Sequence, residues 1–197
     1  MPKVFKVKGR KDYPEFGIKK GDEHYTWSVM TGPRSSRTYR SLTPPKPSQL
    51  TGSPFLQEYY SIQEQIENLT AESAEDLKSQ IEEIIGNIEN LRDETQGNLD
   101  NMPEGLQQGD TGQLLQERVD GLDGWISDLE GVDLDFEFDE EEPEEPEKEK
   151  EETDEEFEER QTEYETEKEE WETRGEEAKV ELVQAQIEEV QGFDAGL

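Results

Sequence analysis

Cysteine is absent from this 197-residue chain. That excludes a disulfide scaffold, a thiolate zinc site, a cysteine nucleophile and thiol redox chemistry. Histidine occurs once, at His24, with no second imidazole or thiol to complete a metal shell or a nucleophile-base pair. Apolar residues are scarce: 28% of the chain is AVILMFWYC, against about 45–50% in ordinary globular domains, too little for one compact core of this length. Long apolar runs are missing as well. No window nears the ~18 consecutive apolar residues of a membrane span, and the opening MPKVFKVKGRKDYPEFG lacks the apolar centre of a signal peptide. The expectation is a cytoplasmic protein without a membrane partner.

What is abundant is acid. Fifty-three Asp and Glu against 20 Lys and Arg give a formal charge of −33, unevenly spread. Residues 1–50 hold eleven bases and four acids and are +7, whereas residues 135–177 hold 25 acids and five bases and are −20. Such asymmetry predicts different partners for the two ends, or one end binding the other.

The pattern predicts a mainly α, elongated molecule. It would comprise a small basic β module, an antiparallel helical hairpin or coiled coil, and an acidic C-terminal helical arm. Residues 1–43 form the module: VFKVK alternates, HYTWSV is rich in β-formers, and turn chemistry precedes RTYRSL. Residues 44–53, PPKPSQLTGS, read as a Pro-rich, semi-rigid spacer. Ser53 and Pro54 then suit an N-cap and first helical position. Phe55, Tyr59, Ile62, Ile66 and Leu69 follow in 4-3-4-3 spacing, resumed after a stutter at Leu77, Ile81, Ile84, Ile88 and Leu91, so one helix is expected over residues 54–101. A second over 111–131, capped by Thr111, repeats the rule at Leu115, Val119, Leu122, Ile126 and Leu129. The seam residues Ile62, Ile66, Ile81, Ile84, Ile88, Leu115, Leu122 and Ile126 fit an intramolecular hairpin or a homo-oligomer equally well. Residues 133–152 read as an acidic disordered linker, and 153–192 as the acidic helical arm, where Phe157, Tyr164 and Trp171 recur every seven residues as a docking stripe.

Chemistry is thin. No phosphate-cradling glycine loop or EF-hand loop is present, and the acid pairs sit in Glu-rich surroundings unsuited to raising a carboxyl pKa. A non-enzymatic protein without metal or cofactor is expected. The informative feature is basic and aromatic interleaving in residues 1–50. Arg10, Lys11, Lys19, Lys20, Arg34, Arg37 and Arg40 are candidate phosphate contacts, and Trp27 and Tyr39 candidate base-stacking groups. Two other readings stay open: the aromatics form a small core, or the module docks on an acidic protein surface.

The strings GIKKGDEHYTW, TPPKPSQLTGSPF and NMPEGLQQGDTGQLLQERVDGLDGWISDLEGVD resemble a group of uncharacterised proteins of tailed phages and prophages, over residues 10–133. The resemblance implies a ribbon-type β module fused to long helices, and a viral protein acting in a bacterial cytoplasm. The expected function is therefore a nucleic-acid-associated adaptor or regulator, with protein partners or self-association through its helices. Two alternatives are a virion or assembly coiled-coil protein, and an inhibitor whose acidic arm mimics DNA towards a host DNA-binding protein.

Overall fold

A computed structural model describes residues 2–32, 34–147 and 153–197. Helix dominates, preceded by a three-stranded antiparallel sheet, as the sequence predicts. The chain divides into two compact units. The first takes Met1–Asn68, Glu83–Asp128 and Asp194–Leu197, and the second Leu69–Glu82 and Leu129–Phe193.

In the first unit, strands β1 (Phe5–Lys8), β2 (Glu23–Gly32) and β3 (Ser35–Ser41) lie in that order, so the long β2 is central. Because side chains alternate across a strand, the register sorts residues onto two faces. Trp27, paired with Tyr39, and Val29, paired with Arg37, share one face. Val7 with His24, Phe5 with Thr26 and Arg40, Ser28 with Thr38, and Met30 with Ser36 share the other.

The first face is covered by the segment expected to be a spacer. Its 3-10 turn Pro47–Leu50 offers the Gln49 carbonyl, which accepts the Trp27 indole N–H at 2.9 Å. Gly52 lies so close to the Met30 carbonyl that a Cβ would collide with backbone, a practical reason for glycine there. Lys46 Nζ and Ser48 Oγ both donate to the Glu64 carboxylate, at 2.8 and 2.9 Å. Residues 44–53 thus bind the sheet to the following helix instead of holding the two apart. A proline-rich composition sets stiffness, and stiffness serves packing as well as spacing.

Helix α1 (Pro54–Glu67) starts where Ser53 and Pro54 predict, with the Ser53 hydroxyl accepting from the Leu56 N–H. It does not continue to residue 101. The chain breaks at residues 68–73 and restarts as α2 (Ala74–Asp100). Local capping explains the break. The Asn68 side chain donates to the Glu64 carbonyl at 2.6 Å. Ser73 Oγ accepts from the Asp76 N–H, while the Asp76 carboxylate accepts from the Glu72 N–H. These partners satisfy helix-end groups that an uninterrupted helix would pair internally. The stutter at Leu69, Ser73 and Leu77 is therefore a turn.

A short α3 (Glu104–Gln107) leads into α4 (Asp110–Glu130), which begins one residue before the expected Thr111. Within the first unit Gln65 meets Asn87 at 3.1 Å and Arg92 meets Asp123 at 3.0 Å. Phe55 lies under Arg118, and the Tyr59 and Trp125 rings are 5.6 Å apart. These pairs place α1 and α4 parallel and α2 antiparallel to both, a three-helix packing in place of the two-helix hairpin. Of the seam, Ile62, Ile66, Ile84, Ile88, Leu122 and Ile126 are buried here and Leu115 is half-buried. The chain's last residues join this unit. Asp194 accepts a very short hydrogen bond from the Tyr59 hydroxyl, and Ala195 and Leu197 crowd Gly121. Burial first, and then the bond to Asp194, push the Tyr59 phenol pKa well above its ordinary value.

In the second unit Leu69, Leu77, Ile81, Leu129, Val183, Ile187 and Val190 are buried. Helix α5 (Asp154–Gln191) opens on a reciprocal Thr153 and Glu156 cap, close to the expected start. Residues 132–147 carry no helix or strand, but they lie along α5 as an antiparallel strap. Phe138 packs 5.5 Å from the Trp171 ring and against Gly175, and the Glu140 carbonyl accepts the Trp171 indole N–H at 3.1 Å. Glu140 pairs with Arg174 at 2.9 Å, Glu142 with Lys168 at 3.5 Å, and the Glu147 carbonyl accepts from Arg160 at 3.0 Å. The rest of the expected linker, residues 148–152, lies outside the described residues. Phe157, Tyr164 and Trp171 are all half-buried, and the strap covers Trp171.

Candidate nucleic-acid interface

Among the described residues the second face of the sheet is covered only at its His24 end. Phe5 is 56% exposed, Val7 38% and Met30 66%, an unusual display for a chain this poor in apolar residues. Between them run the hydroxyls of Thr26, Ser28 and Thr38, the last two hydrogen-bonded at 2.9 Å. β1 pairs only with residues 23–26 of β2, so beyond that point β2 and β3 continue as a two-stranded ribbon towards Arg34.

At the other end of this face the loop between β1 and β2 folds back over the sheet. Gly9 and Asp22 close its base, with the Gly9 N–H donating to the Asp22 carbonyl at 2.8 Å and the Gly21 N–H to the Gly9 carbonyl at 2.9 Å. Tyr13 and Ile18 bridge its tip, and the backbone at Gly21 has φ +99°, a region closed to most side chains. The loop's two aspartates are spent on its own backbone: Asp12 accepts from the Lys20 N–H at 2.6 Å and Asp22 from the Lys19 N–H at 2.8 Å. Their carboxylates serve the loop's architecture, and Arg10, Lys11, Lys19 and Lys20 are all exposed.

Loop and sheet together enclose an open cleft of about 800 Å³. Lys8, Arg10, Lys20 and Arg40 line it together with Tyr13 and His24. The Arg40 guanidinium lies 4.2 Å from the centre of the Tyr13 ring, a cation-π contact that fixes its plane and leaves N–H donors to reach an anion. His24 is 2% exposed, held between the Tyr13 ring at 5.7 Å and the Asp22 carbonyl at 3.4 Å from Nδ1. A lone imidazole so enclosed is a wall of the cleft. Among the described residues no group of three or more His, Asp or Glu is placed to hold a metal ion.

Of the nine candidates read from sequence, the structure brings Arg10, Lys20 and Arg40 together. Lys11 Nζ lies 5.4 Å from the centre of the Tyr13 ring, and Lys19 is exposed in the same loop. Arg34 is exposed in the β2–β3 turn. Trp27, Tyr39 and Arg37 belong to the opposite face. Trp27 is 4% exposed, stacked on Tyr39 at 5.9 Å and tied to Gln49, so it is core and offers no surface for a base. Arg37 sits 5.4 Å over the Tyr39 ring. Phe5, Val7 and Met30, which the interleaving of bases and aromatics does not single out, are the exposed apolar residues of the cleft's face. The alternation in VFKVK sets Phe5 and Val7 on one side of β1, and that signal was available.

A second charge arrangement lies on the far face, where Lys6 and Glu23 pair at 3.0 Å. The hydrogen bond raises the Lys6 pKa and lowers that of Glu23. Lys6 is thereby partly neutralised, and Lys8 also bears on Glu23 and helps lower its pKa, whereas among the described residues no ion pair engages Arg10, Lys20 or Arg40. No helix among the described residues is long and apolar enough to cross a membrane. No protein family, no curated protein and no solved structure matches the chain.

Proposed function

We infer that the protein is a non-enzymatic, nucleic-acid-associated adaptor, and that its resemblance to tailed-phage proteins gives the setting, a bacterial cytoplasm. The observation that carries the reading is the cleft of Arg10, Lys20 and Arg40, which opens beside exposed Phe5, Val7 and Met30 on one sheet face. Phosphate contact by such cations releases counterions and makes affinity fall with salt. The helices supply reach and protein contact. α2 spans 27 residues, ~40 Å, and the heptad spacing of its buried residues supports coiled-coil-like packing. Burial of the seam within one chain favours the intramolecular use of that seam over a homo-oligomer or a virion coiled coil.

The direct test is fluorescence anisotropy of a labelled oligonucleotide with the full chain across a salt series. Binding that weakens with salt, and that is lost when Arg10 and Lys20 are both changed to Glu, is the expected result. Absence of binding at low ionic strength would remove the reading.

A second reading is favoured by one observation in the other unit. The bases of α5 are tied down by the strap, Lys168 by Glu142 and Arg174 by Glu140, so the arm's outward surface is left to carboxylates. Such a surface suits an inhibitor that presents DNA-like charge to a basic host protein. Displacement of duplex DNA from a host DNA-binding protein by the intact chain, abolished on truncation after residue 134, would support it.

A further inference from the structure

We propose that the open sheet face selects single-stranded over duplex nucleic acid, seating a phosphate in the Arg10, Lys20 and Arg40 cleft and an unpaired base against Phe5. This rests on the reading of that face as a nucleic-acid surface and adds the strand state that it recognises.

Phe5, Thr26 and Arg40 are cross-strand partners in one row, so all three side chains leave the same face. Neighbouring strands are ~4.8 Å apart, which sets Phe5 and Arg40 about two strand spacings from each other across Thr26. A phosphate held by Arg40 therefore has an aromatic ring within reach of the nucleotide it belongs to. Phe5 is 56% exposed on a strand whose four residues are all exposed, so more than half of its surface stands open to a ligand.

Strand state follows from what each partner can offer. A base in a duplex buries its flat faces in the stack and presents only its edges, for which Phe5, Val7 and Met30 have no hydrogen-bonding group. A single strand exposes those faces, and stacking on an aromatic ring is tolerant of base identity. The hydroxyls of Ser28 and Thr38 continue the surface along β2 and β3, and Met30 closes it. The duplex alternative makes its own prediction. A two-stranded ribbon fits a major groove, and here that ribbon is the end of β2 and β3 with Arg34 at its turn. A duplex reader would depend on Arg34 and not on Phe5.

The experiment measures anisotropy with the full-length protein at low ionic strength, using one short mixed-sequence DNA strand alone and annealed to its complement. Variants are Phe5→Ala, Arg34→Ala and the pair Arg10→Gln with Lys20→Gln. Tighter binding of the single strand is expected. Phe5→Ala should weaken it by at least about fivefold, the low end for losing one stacked base, with little effect on the duplex. The double Gln variant should flatten the single-strand salt dependence by about 0.7 per lost contact. Duplex affinity equal to or above single-strand affinity, or dependence on Arg34 with indifference to Phe5, overturns the strand preference while the nucleic-acid reading survives. Failure of both probes to bind overturns both.

Discussion

The helices of the first unit and its sheet treat their apolar residues in opposite ways. On α1, α2 and α4 most of the large side chains that the periodicity selects are enclosed, with Ile62, Ile88 and Leu122 wholly inaccessible and Phe55 and Leu115 half-buried. On the sheet, Trp27 and Val29 are enclosed on one face, whereas Phe5, Val7 and Met30 stand in the open on the other. The chain has apolar residues to spare for neither purpose, so the contrast teaches where selection for stability stops. The helical seam holds the unit together, and the open sheet face contributes a surface.

Substitution should separate the two regions sharply. Leu122→Ala or Ile62→Ala is expected to lower stability by ~2–5 kcal/mol in urea titration, the range for a cavity in a packed core. Phe5→Ala and Met30→Ala should stay within ~0.5 kcal/mol of the parent, as for exposed positions. A large loss at Phe5 would mean that this face is core, and the comparison would collapse.

The sheet and the helical seam were also unequally legible in sequence. The seam of α1, α2 and α4 reads directly from spacing, because a helix reports its buried stripe through neighbours three and four positions away. The break at residues 68–73 was hidden because Leu69 and Leu77 kept an apolar rhythm through it, and the decisive signal was the short Ser73 and Asp76 cap. The strands were legible, but which side of each is covered depends on Gln49 and Gly52, more than twenty residues after Trp27. That distance hides from the local pattern that Trp27 is enclosed and Phe5 is open. The strap was unreadable for the opposite reason. Its Phe136 and Phe138 are isolated in acid, and only their fit against Lys179, Trp171 and Gly175 gives them a place.

The tie between the C-terminal residues and α1 sharpens the account of the helical region. Tyr59→Phe is expected to cost about 1–2 kcal/mol by leaving Asp194 short of a donor. The sign of its pH dependence is fixed. The Tyr59 pKa is higher in the folded than in the unfolded chain, so the folded state keeps the proton longer. The resulting stability is whole below the unfolded value of about 10 and is lost as pH rises from there towards the folded value. Urea titrations near neutral pH and in the alkaline range should therefore show the gap between parent and variant closing as pH rises.

Two smaller effects concern the polar ties. Glu64 feels burial that would raise its pKa, but the hydrogen bonds from Lys46 and Ser48 outweigh this and hold it below the ordinary carboxylate range. Its contribution is therefore present above the unfolded value and lost as pH falls through the folded one. Glu64→Gln should cost ~1 kcal/mol at neutral pH, with the difference vanishing in acid. Arg92→Ala removes the partner of Asp123 on α4 and should cost ~0.2–1 kcal/mol, readable as a small shift in the urea midpoint that salt diminishes.

The account's central claim is that the sheet has one structural and one binding face, and amide and indole chemical shifts report on both at once. The ¹⁵N-labelled full chain, titrated with a short single-stranded oligonucleotide, should show shifts at Phe5, Val7, Arg10, Lys20, Thr26, Ser28 and Arg40. The Trp27 indole signal, locked to the Gln49 carbonyl on the covered face, should stay in place. Shifts centred on Trp27, Arg37 and Tyr39 with Phe5 and Arg40 unmoved, or no shifts on the sheet at all, would contradict it.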